Sequence, residues 1–256
     1  MMRAYIVTGC SRGLGLALTR RLLAHGAHVV GVARQAPPAF EPPGDAARFA
    51  FIACDLSSPE EAARLIPRAL ERLGDGPFDS LCLINNAGVV TPIAMAGDYP
   101  DREASRAIAI NLTSPVLMCN ALLGKARSLT ADLRILNISS GAAVSVYPGW
   151  GIYGATKAAL DHFSRHVALE NAGRPNPVRI ASLYPGVIDT DMQSTIRASD
   201  EQHFPQRARF DALKQEGGLS APESTAEHIL LYLHRVDFGS EPVIDIRNLI
   251  FSTEKP

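Results

Sequence analysis

Ser140, Tyr153 and Lys157 are the residues of this chain whose types and spacing carry chemistry. Tyr153 and Lys157 stand four apart, so on a helix both side chains share one face, one turn from each other. Ser140 lies just past the apolar run 134–138, which reads as a strand ending in a loop. Open α/β sheets place working residues at such strand ends. The chemistry these three types support is proton transfer to a carbonyl oxygen. A free tyrosine has a pKa of about 10 and is a poor acid near neutrality. A lysine ammonium one turn away favours the phenolate and is expected to lower that value. A drop of about three units takes about 4 kcal/mol of differential interaction, within reach of a partly dry cleft. The Ser140 hydroxyl then holds the substrate oxygen beside the phenol. A Tyr–Lys pair at helical spacing is more commonly a solvated helix face, so the reading rests on what accompanies it.

The first companion is a glycine-rich turn. Residues 4–7 form a short apolar run that leads straight into Thr8-Gly9-Cys10-Ser11-Arg12-Gly13-Leu14-Gly15, and an amphipathic stretch follows to about residue 25. Glycines at 9, 13 and 15 let a ligand approach the backbone, while a new helix offers free N–H groups and a positive dipole end to a pyrophosphate. No Gly-Lys-Ser/Thr ends the turn, so it is not a P-loop. The second run, 28–33, ends at Arg34. In dinucleotide folds an acid at this strand end holds the ribose 2′-OH of NAD, whereas an Arg accommodates the 2′-phosphate of NADP. Arg34, with Arg12 as a second candidate, predicts NADP(H) over NAD(H).

The set TGCSRGLG (8–15), NNAG (85–88), Asn111, Ser140 and YGATK (153–157) resembles the short-chain dehydrogenase/reductase family, in that family's order and over nearly the whole chain. The resemblance implies a Rossmann-type doubly wound α/β fold, a parallel sheet of about seven strands in a single domain over 1–256. It implies transfer of the pro-S hydride of NADPH to a ketone carbon, with Tyr153 as proton donor to the oxygen. Lys157 also holds the nicotinamide ribose, and Asn111 holds a water that links the lysine to solvent. Ser11, Arg12 and Leu14 belong to the phosphate turn, Asp55 and Leu56 to the adenine end, and Asn86, Ala87 and Gly88 to the cleft wall. Pro185, Gly186, Val187 and Ile188 border the nicotinamide, and the Thr190 hydroxyl fixes its carboxamide.

The loop motif YPGWG (147–151) and the tail motifs PGVIDTDMQ, RFDALKQEG and VIDIR are similar to the sepiapterin-reductase-related branch, which includes bacterial benzil reductases forming (S)-benzoin. Tyr147, Trp150 and Met192 are the candidates for packing an aromatic or 1,2-dicarbonyl substrate, beside Ser140 and Tyr153. Residues 191–218 read as polar and irregular, and by resemblance form the segment that covers the substrate. The alternatives are a 3-oxoacyl-carrier-protein reductase or another ketone reductase of the same fold, and a non-catalytic NADP-binding sensor.

The 256 residues suit one sizeable core, and a net charge of −1 suggests no polyanion partner. Four scattered cysteines, Cys10, Cys54, Cys82 and Cys119, read as core residues of a reducing compartment. No signal peptide and no apolar run of membrane-spanning length is seen, so a cytoplasmic protein without membrane or nucleic-acid partners is expected. His162 and His166 share a helix face without a third ligand at useful spacing, so no metal site is expected. The stretches 101–110 and 112–127 read as two helices, or one interrupted helix, around Asn111, with a fresh segment starting near Pro115. By resemblance, 111–127 and 150–171 pair across a two-fold axis in a homodimer or homotetramer.

Overall fold

Apolar runs of five or six residues alternate with amphipathic stretches, and each run becomes a strand that a helix covers. The computed structural model describes residues 2–39, 46–74, 76–125 and 128–249. Its strands are β1 Arg3–Thr8, β2 His28–Ala33, β3 Phe49–Ala53, β4 Ser80–Asn85, β5 Leu133–Ile138, β6 Arg179–Tyr184 and β7 Val243–Asp245. All pair in parallel, in the order β3-β2-β1-β4-β5-β6-β7. The seven-stranded doubly wound sheet expected from the sequence is therefore present.

The helices are α1 Gly13–Ala24, α2 Pro59–Leu73, α3 Asp101–Ile108, α4 Ser114–Lys125, α5 Gly151–Asn171, α6 Asp191–Arg197, α7 Arg207–Gln215 and α8 Pro222–Leu233. Ser58 caps α2: its side chain accepts from the Glu61 N–H, with Pro59 at the first helical position and Glu60 and Glu61 in the first turn. Strand side chains alternate between two cores. Ala4, Ile6, Leu83 and Ile135 meet Leu65 of α2, Met118 of α4 and Val167 of α5 on one face. Tyr5, Val7, Ile84 and Leu136 meet Leu18 of α1 and Ile229 of α8 on the other. Each fully buried Leu or Ile contributes about 2 kcal/mol of transfer free energy. All four cysteines are buried and unpaired, and burial pushes the Cys10, Cys54 and Cys119 thiols up to about 12.

The interrupted helix expected around Asn111, with a fresh segment near Pro115, is what forms: a π-turn, Ala109–Thr113, joins α3 to α4. A wider turn absorbs the irregularity, and Pro115 is tolerated because it sits in the first turn of α4. The continuous run Asp101–Lys125, 25 residues with a mean hydropathy of 1.5 in its most apolar window, is by length and composition sufficient to cross a membrane, contrary to the sequence reading. Half of that window is buried, with Met118, Cys119 and Leu122 fully enclosed in the core. A second correction concerns 191–218, which is not irregular: it folds into α6 and α7, of 7 and 9 residues. Helices this short leave too few turns for an apolar period to show. Their Ile196 and Phe210, with Phe204 between them, build a third core with Trp150 above the sheet. The end of the expected 35–44 loop and of the 112–127 helix lies outside the described residues.

Candidate active site

A cleft of about 1320 Å³ runs along the carboxyl ends of the strands, where the sheet order reverses between β1 and β4. That exceeds the ~300–1,000 Å³ of an ordinary small-ligand pocket and leaves room for a dinucleotide with a substrate beside it. At its centre, Gly9, Ser11, Gly13, Leu14 and Gly15 line the wall. A Cβ on Gly15 would stand 2.2 Å from the Gly9 carbonyl oxygen, and Gly13 has a φ of +53°. The N-terminus of α1 carries no side-chain cap and no acidic residue in its first turn. This cradle of open N–H groups fits a pyrophosphate. Asn86 ties it to the sheet, donating from Nδ2 to the Thr8 carbonyl at 2.9 Å. Asn85 points the other way and bonds Asn137 Oδ1 at 2.8 Å inside the sheet.

At one end the cleft is lined by Arg34, Asp55, Leu56 and Arg106. The Ser57 N–H, donated to Asp55 Oδ1 at 3.0 Å, holds that carboxyl below its ordinary range, and Arg106 and Arg34 add to the effect. Arg106 escaped the sequence reading, because nothing local links a residue of α3 to the ends of β2 and β3. Arg12 lines the cleft too, but its guanidinium reaches Asp191 at the start of α6 at 3.0 Å rather than standing with Arg34.

At the other end, Ser140, Tyr153 and Lys157 converge, with Ala87 and Gly88 beside them. Ser140 Oγ accepts from the Ala142 N–H at 3.1 Å, which leaves its own proton for an acceptor in the cleft. Lys157 is buried; Nζ donates to the Ile138 carbonyl at 2.8 Å and lies 5.8 Å from the centre of the Tyr153 ring. Burial lowers the lysine pKa to about 8. Burial also raises Tyr153, with a hydrogen bond to Ser140 pulling the other way. The direction is opposite to the lowering expected from sequence, and burial of the phenol, not the Lys157 cation, sets it. Asn111 is buried behind the cleft wall near Lys157, its Oδ1 accepting from the Val89 N–H at 2.9 Å and its Nδ2 donating to the Val89 carbonyl at 2.8 Å.

Pro185, Gly186, Val187, Ile188 and Thr190 form the facing wall. Thr190 stands at the N-cap of α6 without making a capping bond, so its hydroxyl is not taken up by the helix. Above, Trp150 stacks on Phe204 at 4.9 Å and meets the Tyr153 ring edge-on at 5.5 Å. Tyr147 leans on Trp150 at 5.0 Å, and Met192 packs against the same cluster. Trp150 is therefore both a core residue and a wall of the cleft. Phe204 and Phe210 were not found from sequence, because their partner lies 54 and 60 positions away. His162 and His166 face each other at 3.2 Å on the exposed side of α5, and among the described residues no group of three possible metal ligands occurs.

The family model described as short chain dehydrogenase matches residues 3–201. The chain belongs to this family. It is accordingly an oxidoreductase that uses a nicotinamide cofactor and acts on carbonyl or hydroxyl groups of small molecules. The Bacillus subtilis (strain 168) benzil reductase ((S)-benzoin forming) is 35% identical over 91% of this chain and 94% of its own. Sepiapterin reductase of Meriones unguiculatus is 32% identical over 94% of each. The solved structure of the KRED1-Pglu enzyme superposes with a TM-score of 0.80 at 31% identity, over 95% of this short-chain dehydrogenase and all of the other chain. These relatives agree with the branch indicated by the loop and tail motifs.

Proposed function

We propose that this short-chain dehydrogenase is an NADPH-dependent carbonyl reductase acting on ketones and 1,2-diketones of the benzil type. One observation carries the reading: Ser140, Tyr153 and Lys157 meet at the end of a dinucleotide-sized cleft, under an aromatic wall of Tyr147 and Trp150. In this reading the whole chain is one domain, with 191–218 as the cover over the substrate.

The turn from Gly9 to Gly15 holds the pyrophosphate, and Asp55 and Leu56 the adenine. Arg34 and Arg106, with no acid at the end of β2, favour the 2′-phosphate of NADPH. Asn86, Ala87, Gly88 and residues 185–190 enclose the nicotinamide, whose bound, reduced form supplies the hydride. Ser140 donates its hydroxyl proton to the substrate carbonyl oxygen. Tyr153, kept protonated by burial, gives its proton to the same oxygen as negative charge develops there. Lys157, with a pKa of about 8, is mostly cationic at pH 7 and stabilises the phenolate left behind. Asn111 fixes the Val89 backbone beside Gly88 and shapes the wall near the lysine.

The test follows NADPH oxidation with benzil, with sepiapterin, with an acetoacetyl thioester and without substrate, then repeats it with NADH. Benzil turnover with NADPH, lost by about 10³-fold in Tyr153→Phe while NADPH still binds, is expected. A Tyr153→Phe protein that reduced benzil at the parent rate would sink the catalytic assignment. Preference for the thioester would move the substrate to the carrier-protein class.

A further inference from the structure

Asp161 has no part in the scheme above, yet it is a buried carboxylate, 2% exposed, on the helix that carries Tyr153 and Lys157. It follows Lys157 by four residues, so the two side chains share one face of α5, a turn apart. Two hydroxyls of β6 clamp it: Ser182 Oγ donates to Oδ1 at 2.6 Å and Tyr184 OH to Oδ2 at 2.5 Å. Tyr184 in turn lines the cleft. An unpaired carboxylate at this depth is strongly disfavoured unless hydrogen bonds and a cation compensate it.

We propose that Asp161 is a positioning residue for Lys157, a clamped buried anion that holds the lysine ammonium charged in the dry floor of the cleft. The proposal rests on the reading that Tyr153 and Lys157 carry the proton transfer. Burial alone drives an ammonium toward its neutral form, and the charge of Asp161 opposes it. Lys157 otherwise faces Tyr153 on its own helix, the Ile138 carbonyl of β5, and the neutral Asn111 and Gly88. Past Asp161 stand Tyr184, then Arg165 of α5 and Asp245 of β7, the latter paired with Arg247 at 2.5 Å. Ser182 and Tyr184 take up the two carboxylate oxygens and Ile138 takes up the ammonium, so Asp161 acts on Lys157 through its charge from one turn away.

The experiment is the pH profile of kcat/KM for benzil with NADPH, in the parent, Asp161→Asn and Ser182→Ala. Without the anion Lys157 loses its proton at lower pH, so the alkaline fall of Asp161→Asn is expected roughly one pH unit below the parent. Its NADPH affinity should match the parent at about pH 6.5 and fall behind at about pH 8.5. Ser182→Ala keeps the carboxylate and should leave the limb in place. A folded Asp161→Asn protein whose activity dropped equally at every pH, with the limb unmoved, would overturn the proposal. Asp161→Ser, smaller and able to hold a water, gives the same reading if the asparagine does not fold. Tyr153→Phe, measured alongside, separates the failures: turnover retained there removes the catalytic reading, whereas turnover lost there with an unmoved Asp161→Asn limb removes this proposal alone.

Discussion

Arg12 and Asp191 pair at 3.0 Å across the mouth of the cleft, joining the N-cap of α1 to the first residue of α6. Both side chains are about 70% exposed, at 71% and 70%, so the pair contributes little to stability, about 0–1 kcal/mol. Its position makes it a strap over the glycine turn. Asp191→Asn is expected to leave Tm within about 2 °C of the parent. NADPH should dissociate a few-fold faster in stopped-flow at low salt, and the difference should vanish near ~0.5 M salt, where screening has already loosened the strap. Equal dissociation rates at low salt would remove the strap from cofactor retention.

Arg34 and Arg106 line the cleft beside Asp55, and the charge of each lowers that carboxyl. Arg34→Ala is expected to raise KM for NADPH by about 10- to 100-fold, the loss of one or two charge-assisted hydrogen bonds, and to leave KM for NADH nearly unchanged. Arg106→Ala should act the same way but more weakly. Parallel changes for both cofactors would mean that neither guanidinium reads the 2′-phosphate.

Trp150 joins the third core to the cleft, stacked on Phe204 and edge-on to Tyr153. Trp150→Ala should destabilise by about 3–5 kcal/mol, read as a lowered urea midpoint, because the facing rings collapse only partly into the space. Trp150→Phe keeps a stacking ring and should recover more than half of that loss. If Trp150 also packs the substrate, the phenylalanine variant should raise KM for benzil more than for a small aliphatic diketone.

Alkali should unfold the protein early. Burial raises the thiols of Cys10, Cys54 and Cys119 to about 12 from 9.0, and Cys82 moves in the same direction. A group whose pKa is raised on folding gives stability that is complete below its unfolded value and is lost as pH rises toward the folded one. Stability should therefore fall from about pH 9 upward, by several kcal/mol before pH 12. Lys157, lowered to about 8 from 10.5, works in the opposite sense between those values, but as one group against four thiols it does not reverse the trend. Cys119→Ala should flatten the slope of the urea midpoint against pH. An unchanged slope would assign the alkaline loss elsewhere.

Local pattern made much of this molecule legible. Tyr153 and Lys157 meet because the interval of four residues is itself a geometric statement on a helix. The glycine turn is legible for a similar reason, since a Cβ at Gly15 meets the Gly9 carbonyl and both lie within one short stretch. The strands show as apolar runs because a parallel sheet buried on both faces needs apolar side chains on both. The same local logic showed the interruption at Asn111, which is a π-turn, and missed α6 and α7, too short to show a period.

By itself, then, the sequence determined the fold class, the family, the parallel sheet of about seven strands and the group of Ser140, Tyr153 and Lys157. The tertiary structure decided which distant groups face each other. It turned Arg12 toward Asp191, brought Arg106 to Asp55, stacked Phe204 on Trp150 and set Ser182 and Tyr184 against Asp161. It also decided the sign of the Tyr153 shift, which depends on how completely the folded chain excludes water from the phenol. The reason is physical: periodicity and steric limits act between neighbours in the chain, whereas burial and charge act through space, between residues whose separation in sequence carries no trace of their contact.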